Sequence, residues 1–302
     1  ITDENELPYD RTLLSKQFLQ GHAPPDWLRL HDREYYDEHD IELLLGRRAT
    51  GLDPEAKTVE LDGGETLSYD ALLCATGGHP IKLPIPGTDL GHYYRLRTLE
   101  DAQRLADGIE ETEKAVLLGA GFVCLETATV LRKKDIEVDV VAPESVLFKP
   151  MFGERIGEVL RRKHEEMNVT FHLGHKPDEV LGNQRVSEVV MDDGTVLPAD
   201  MVISGVGVRP AVEWLQGSGL AQENCVAVDD NLRTKAEDVY AAGDLAACPS
   251  AMNGRLRRTE HWAEAQQQAR HAARMMMGGD APYRRIPFFW TEQAGVSLKH
   301  VG

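Results

Sequence analysis

The run AVLLGAGFVCLETATVLRKK, Ala115 to Lys134, sets two glycines, Gly119 and Gly121, between an apolar stretch and a segment with helical apolar spacing. A strand that ends in glycines just before a helix offers backbone N–H groups to phosphate, with the positive helix N-terminus behind them. The chemistry this spacing predicts is the holding of a dinucleotide by its pyrophosphate. The third glycine of the G-x-G-x-x-G fingerprint is replaced by Cys124, small enough that the helix need shift only modestly. An acid that would hold ribose hydroxyls is expected near position 142, which is alanine. Glu144 follows two residues on, and no Lys or Arg stands before Lys149 to clamp a 2′-phosphate, so the pattern leans to the non-phosphorylated nucleotide, although Pro143-Glu144-Ser145 also reads as a plain turn. Nucleophile and metal chemistry find no pattern. Cys74, Cys124, Cys225 and Cys248 form no close pair and are expected as free thiols in a reducing compartment. His79, His164, His172 and His175 show no metal-like pairing with Cys or acids, and no metal is expected.

The elements that must position the glycines follow from periodicity. The run AVLL reads as a buried strand, Phe122 to Lys134 as a helix, and IEVDVVA as a second strand, a βαβ unit. Two further strands end in glycine, LLCATGG (Leu72 to Gly78) and VYAAGDLA (Val239 to Ala246). MVISGVGVRP (Met201 to Pro210) adds another, with Gly207 counted among the cofactor-binding positions, and residues 99–109 and 153–167 read as helices. Turns at Asp62-Gly63-Gly64 and at Asp192-Asp193-Gly194-Thr195 predict two antiparallel meanders, about 130 residues apart. The repetition predicts a duplicated nucleotide-binding fold of the α/β class.

Length and charge narrow the function. The chain has 302 residues, enough for two domains, and no apolar run approaches the ~18 residues of a membrane span. Its N-terminus, ITDENELPYDR, is not a secretory signal. Against 33 Lys and Arg stand 50 Asp and Glu, a formal charge of −17 that repels polyanions and excludes general nucleic-acid binding. One stretch reverses the sign: from Arg255 to Arg285 seven arginines face three acids.

LPYDRTLLSK (Leu7 to Lys16), LLCATGG with PIPG downstream, GAGFVCLETA, and VYAAGDLA followed by HWAEAQQQARHAA and PFFWT occur in that order. Together they resemble the flavin-dependent pyridine nucleotide–disulfide oxidoreductases, above all the ferredoxin reductase type with its apoptosis-inducing-factor-like branch. The resemblance implies an α/β chain of two Rossmann-like three-layer domains. The FAD domain would be discontinuous and incomplete (1–98 and 229–284), around a nicotinamide-nucleotide domain (99–228), with a C-terminal interface domain beginning at 285–302. It further implies that Arg11 and Lys16 lie beside FAD, Lys16 at the isoalloxazine edge, and that Thr76 and Gly77 sit in the loop crossing between domains. Gly243 and Asp244 would hold the flavin phosphate and ribityl chain, Glu126 the nicotinamide side, and His261, Trp262 and Trp290 the flavin face, with Lys16, Glu126 and Trp262 catalytic. On the residues alone, Arg11 and Lys16 also read as a solvated basic pair, Asp244 as a helix cap and the tryptophans as core.

The family's first strand, with its own glycine fingerprint, is not in the sequence, which opens inside what should be the second strand. Glu4, or Asp3, is then the expected remnant acid for the adenosine ribose. A fragment of a longer protein is expected, which puts flavin retention in question. The implied activity passes hydride from NAD(P)H, with a lean to NADH, to FAD, and single electrons onward to an iron–sulfur carrier, a ferredoxin or a Rieske protein. No CxxxxC pair offers a disulfide route. The carrier is expected to dock near Arg255, Arg257 and Arg258. Two alternatives stay open: a related NADH oxidase or quinone reductase, and a flavin-poor, redox-sensing nucleotide-binding module using Cys124. A cytoplasmic monomer or dimer is expected.

Overall fold

A computed structural model describes residues 1–302. The chain begins with a 3-10 turn, Arg11–Leu13, running into a π-helical turn, Leu14–Phe18, and two short helices, α1 (Pro25–Leu28) and α2 (Arg33–Glu38). An antiparallel meander follows, β1 (Ala49–Asp53), β2 (Thr58–Leu61) and β3 (Thr66–Ser68), then β4 (Leu72–Cys74), β5 (Gly78–Pro80) and β6 (Tyr93–Tyr94). Helix α3 (Leu99–Ile109) starts at a capping box in which Thr98 and Asp101 satisfy each other's backbone N–H groups. Strand β7 (Lys114–Leu118), α4 (Phe122–Lys133) and β8 (Glu137–Ala142) form the βαβ unit. Next come α5 (Lys149–Phe152), α6 (Glu154–Glu165), β9 (Val169–Leu173) and a second meander, β10 (Pro177–Gly182), β11 (Val186–Met191) and β12 (Val196–Pro198).

The remaining chain runs through β13 (Met201–Ser204), β14 (Val208–Pro210), β15 (Ala221–Gln222), β16 (Cys225–Ala227), β17 (Val239–Ala241), β18 (Ala246–Pro249) and β19 (Leu256–Arg258). Helix α7 (Trp262–Met276) precedes a terminal hairpin, β20 (Phe288–Gln293) and β21 (Val296–Val301). No helix is long and apolar enough to cross a membrane.

Two nucleotide-type halves emerge. In one, a parallel sheet runs β6-β13-β7-β8-β9, so β7 is central and delivers Gly119 at its C-terminal end. Its alternating side chains fill two cores, Leu117, Val138, Val140 and Ile203 on the α4 side, Val116, Leu118, Val141 and Val202 against the second meander. In the other, β4 and β17 pair in parallel over a core shared with the first meander and α7. Strands β5 and β14 pair antiparallel and carry the chain between the halves. These crossings, at 78–80 and 208–210, lie ahead of the boundaries expected at 98 and 228, and β6 already belongs to the five-stranded sheet. The run Met201 to Pro210 is not one strand: it breaks after Ser204, and Gly207, at φ +109°, turns the chain onto β14.

Cys124, in place of the fingerprint's third glycine, is fully buried, and no displaced helix is needed to hold it. A Cβ built on Gly205, the residue that follows β13, would lie 2.5 Å from the Cys124 sulfur. The missing side chain has moved from the helix to the neighbouring chain. Gly205→Ala overfills this contact and is expected to cost about 1–3 kcal/mol, recovered by adding Cys124→Ala, as thermal unfolding of the two single variants and the double variant will show.

Candidate nucleotide and electron-transfer site

Gly119 needs to be glycine twice over: its φ is +105°, and a Cβ there would sit 2.7 Å from the carbonyl oxygen of Gly205. Gly121 is the N-cap of α4, and no side chain caps that end, so the first amides of a 12-residue helix are left for an anion. A Cβ at Gly121 would meet protein only at 3.7 Å, which leaves room on the ligand side. The cradle therefore fits a dinucleotide pyrophosphate. Glu144 stands exposed in the turn after β8, and Gly207 accepts from the Ile81 N–H at 3.0 Å beside the crossing strand.

One turn further along α4, the Glu126 carboxylate is buried at 7% exposure and meets three donors from two distant segments. Lys16 Nζ lies 2.8 Å from Oε2, Ser15 Oγ donates to the same oxygen at 2.7 Å, and Thr291 Oγ1 donates to Oε1 at 3.0 Å. The π-helical turn presents Ser15 and Lys16 side by side, a use typical of such turns. Lys16, expected at a flavin edge, is thus held in an ion pair with Glu126 across the two halves.

The second half builds a longer network. At the end of β17, Gly243 takes φ +81°, and its N–H is held by Gln268 Oε1 of α7 at 2.8 Å. Asp244 Oδ2 lies 3.0 Å from Arg97 Nη2, and the Asp244 carbonyl accepts from Arg258 at 2.8 Å. The Arg97 carbonyl accepts from Arg11 at 2.8 Å, and Arg11 pairs with Glu4, whose other oxygen accepts from the Tyr9 hydroxyl at 2.6 Å. Burial pushes the Tyr9 hydroxyl well above its ordinary value. Glu4 is therefore an ion-pair partner in this network, while Asp3 pairs with Arg48. Thr76 donates to the Ala211 carbonyl at 2.7 Å, tying together the loops that cross between halves, and Gly77 leaves space for Arg97, 2.8 Å from where its Cβ would be. Helix α7 is also uncapped at its N-terminus, where His261 is the N-cap. An open helix end beside Gly243 and Asp244 fits the polar chain of a flavin nucleotide.

The aromatic residues fall into two groups. His261 stacks on Phe289 at 4.1 Å between ring centres, inside a cluster with Phe122, Phe148 and Phe152. Burial, with His300 beside it, pulls His261 below its ordinary value. Trp262 and Trp290 meet edge to face at 6.1 Å, with Trp290 half exposed. Of the three arginines expected at a docking surface, Arg255 and Arg257 are exposed, whereas Arg258 is bound to Asp244 and to Glu260 at 2.8 Å. His172 and His175, which look isolated in sequence, lie against Asp139 at 2.7 Å and Asp192 at 3.1 Å, pairings made by sheet register and turn packing. All four cysteines are free. Burial pushes the Cys124 thiol up to about 12, which removes the thiolate a redox sensor would need.

Ser15, Thr291, Arg97 and Gln268 were not foreseen. Ser15, Gln268 and Thr291 lie within segments already singled out, Ser15 and Thr291 one residue from Lys16 and from Trp290, while nothing in the sequence marks Arg97. Replacing Lys16 with Met leaves a buried carboxylate with hydroxyl donors alone and is expected to cost about 3 kcal/mol. Glu126→Gln added to Lys16→Met is expected to recover most of that loss, read by thermal unfolding of both variants.

Residues 1–269 match the model of the pyridine nucleotide-disulphide oxidoreductase family. The chain is 33% identical over 302 residues to the ferredoxin–NAD(+) reductase component of the biphenyl dioxygenase system of Paraburkholderia xenovorans, covering all of this chain and 74% of that protein. The crystal structure of the ferredoxin reductase for the CYP199A2 system of Rhodopseudomonas palustris matches with a TM-score of 0.95 at 33% identity, over 99% of this chain and 74% of that one. The reductase in a covalent putidaredoxin reductase–putidaredoxin complex matches with a TM-score of 0.95 at 30% identity, over 99% and 73%.

Proposed function

Because the chain belongs to the pyridine nucleotide-disulphide oxidoreductase family, we propose that it is an FAD-dependent NAD(P)H oxidoreductase delivering electrons to an iron–sulfur carrier of the ferredoxin class. The observation that carries this reading is the Ser15–Lys16–Glu126–Thr291 cluster joining the two nucleotide halves in a chain without a dithiol. A bound flavin supplies the conversion of a two-electron hydride donor into single-electron deliveries.

The chain's own residues bind, orient and exclude water. Gly119, Gly121 and the open end of α4 hold the nicotinamide dinucleotide, with Glu144 the acid in reach of its ribose. Gly243, Asp244, Arg97 and the open end of α7 hold the flavin's polar chain. Lys16 and Glu126 place a fixed, mutually neutralised charge pair where α4 meets the N-terminal turn, beside which the flavin and nicotinamide would be held, and the Phe122–Phe289–His261 cluster would keep water from one side. Trp262 and Trp290 form the solvent-facing wall. The four free thiols suit a reducing compartment such as the cytoplasm.

The partner must approach a chain of net charge −17, so the carrier docks where the sign reverses, at Arg255, just before β19, and Arg257 on it. Arg258 is excluded from that role by its bonds to Asp244 and Glu260.

Two experiments test the reading. The purified chain, with FAD added, is expected to show bands near ~370 and ~450 nm that bleach anaerobically with NADH faster than with NADPH. A protein that stays colourless overturns the flavin assignment, and rapid oxygen consumption without a carrier redirects the electrons to an oxidase. Second, Arg255→Glu with Arg257→Glu is expected to slow ferredoxin reduction about tenfold at low salt, less at high salt, with reduction of a small dye unchanged. Equal loss of both rates removes the docking surface.

A further inference from the structure

Thr291 belongs to the cluster named above but has been given no task of its own, and it is the residue of the terminal hairpin that bonds to Glu126. It is 1% exposed, on the inward face of β20, and its neighbour Trp290 lies on the outward face beside Trp262. Its hydroxyl has one proton and is bonded on both sides. Gln293 Nε2 donates to Thr291 Oγ1 at 3.2 Å, which occupies a lone pair and leaves the hydroxyl proton for Glu126 Oε1 at 3.0 Å. Gln293 is itself 1% exposed, and its amide oxygen is buried with no hydrogen-bond partner. A buried amide with an unpartnered oxygen is costly, so its orientation serves the one donation it makes, to Thr291.

With Oε1 held from the hairpin, Oε2 is turned to Ser15 and Lys16 of the π-helical turn. We propose that Thr291 is a positioning residue: it fixes the plane of the Glu126 carboxylate and so the place of Lys16, linking the strand that bears Trp290 to the buried ion pair. The link spans 165 residues on one side of the carboxylate and 110 on the other. A second bond keeps the helix and hairpin in register, since the Ala294 N–H donates to Thr129 Oγ1 at 3.2 Å, one turn along α4. A variant lacking only the Thr291 hydroxyl therefore keeps the hairpin docked.

The role of Lys16 and Glu126 in electron transfer rests on the proposed function, but their placement does not, and the test separates the two. Thr291→Val and Thr291→Ser are compared by hydrogen–deuterium exchange and mass spectrometry on the chain without nucleotide, and by NADH-dependent reduction of a dye. In Thr291→Val, exchange across residues 14–18 is expected to quicken about tenfold, the worth of a hydrogen bond to a charged group, with residues 288–301 unchanged. Thr291→Ser is expected to restore it. Dye reduction by Thr291→Val is expected to lose kcat with little change in KM for NADH, as a misplaced group near the reacting rings would cause. Faster exchange confined to 288–301, or no rescue by serine, overturns the proposal and makes Thr291 a hairpin anchor. Should neither protein oxidise NADH, the functional reading fails, and the exchange data alone still decide whether Thr291 places the pair.

Discussion

A carboxylate taken out of water must be met by donors, and the donors for Glu126 come from parts of the chain far apart in sequence. That requirement organises the molecule. Glu126 lies on the helix that begins at the dinucleotide cradle, Ser15 and Lys16 on a turn near the N-terminus, and Thr291 on the terminal hairpin. An ion pair of this kind is weak evidence for stability, because desolvating both charges offsets most of their attraction. Its value lies in specificity. Any arrangement of the two halves that separates these segments leaves a charge buried without a partner, so the pair selects one relative placement of turn, helix and hairpin. The hydrophobic cores alone would tolerate small slides of one half against the other. The same three segments carry the groups proposed for a nicotinamide–flavin junction, so the constraint that fixes the geometry also occupies the place where the chemistry is proposed.

Much of this was legible in the sequence because it depends on local rules. The βαβ unit announces itself through a buried apolar run, glycines and helical spacing, and α3 and α4 lie where the periodicity puts them. Both meanders follow from their acid–glycine turns. What stayed hidden depends on where distant segments meet. Arg97 lies between two helical and strand signals with nothing to distinguish it from other surface arginines, yet it pairs with Asp244, 147 residues away. The break of Met201–Pro210 into two strands was masked by its continuous apolar character, and only the pairing of Val208–Pro210 with Gly78–Pro80 reveals the crossing. Arg258 was equally hidden: nothing in its basic run marks it from Arg255 and Arg257, yet it donates to the Asp244 carbonyl.

The contact between Cys124 and Gly205 explains why the fingerprint taken as a string of residues understates this site. The third glycine of such a motif exists because helix and sheet must approach closely, a demand on a pair of surfaces. Either surface can yield. Here the helix keeps a side chain and Gly205, just past the end of β13, gives one up, so the packing distance survives although the motif does not. Gly119 has no such freedom, because its backbone conformation and the nearby Gly205 carbonyl both forbid a side chain. Gly205 thus stands beside both positions, against the carbonyl-facing side of Gly119 and the sulfur of Cys124. A change there disturbs the phosphate turn and the helix start together, and through α4 it reaches the carboxylate one turn beyond, which makes this unremarked glycine the point where cradle and charge pair share one support.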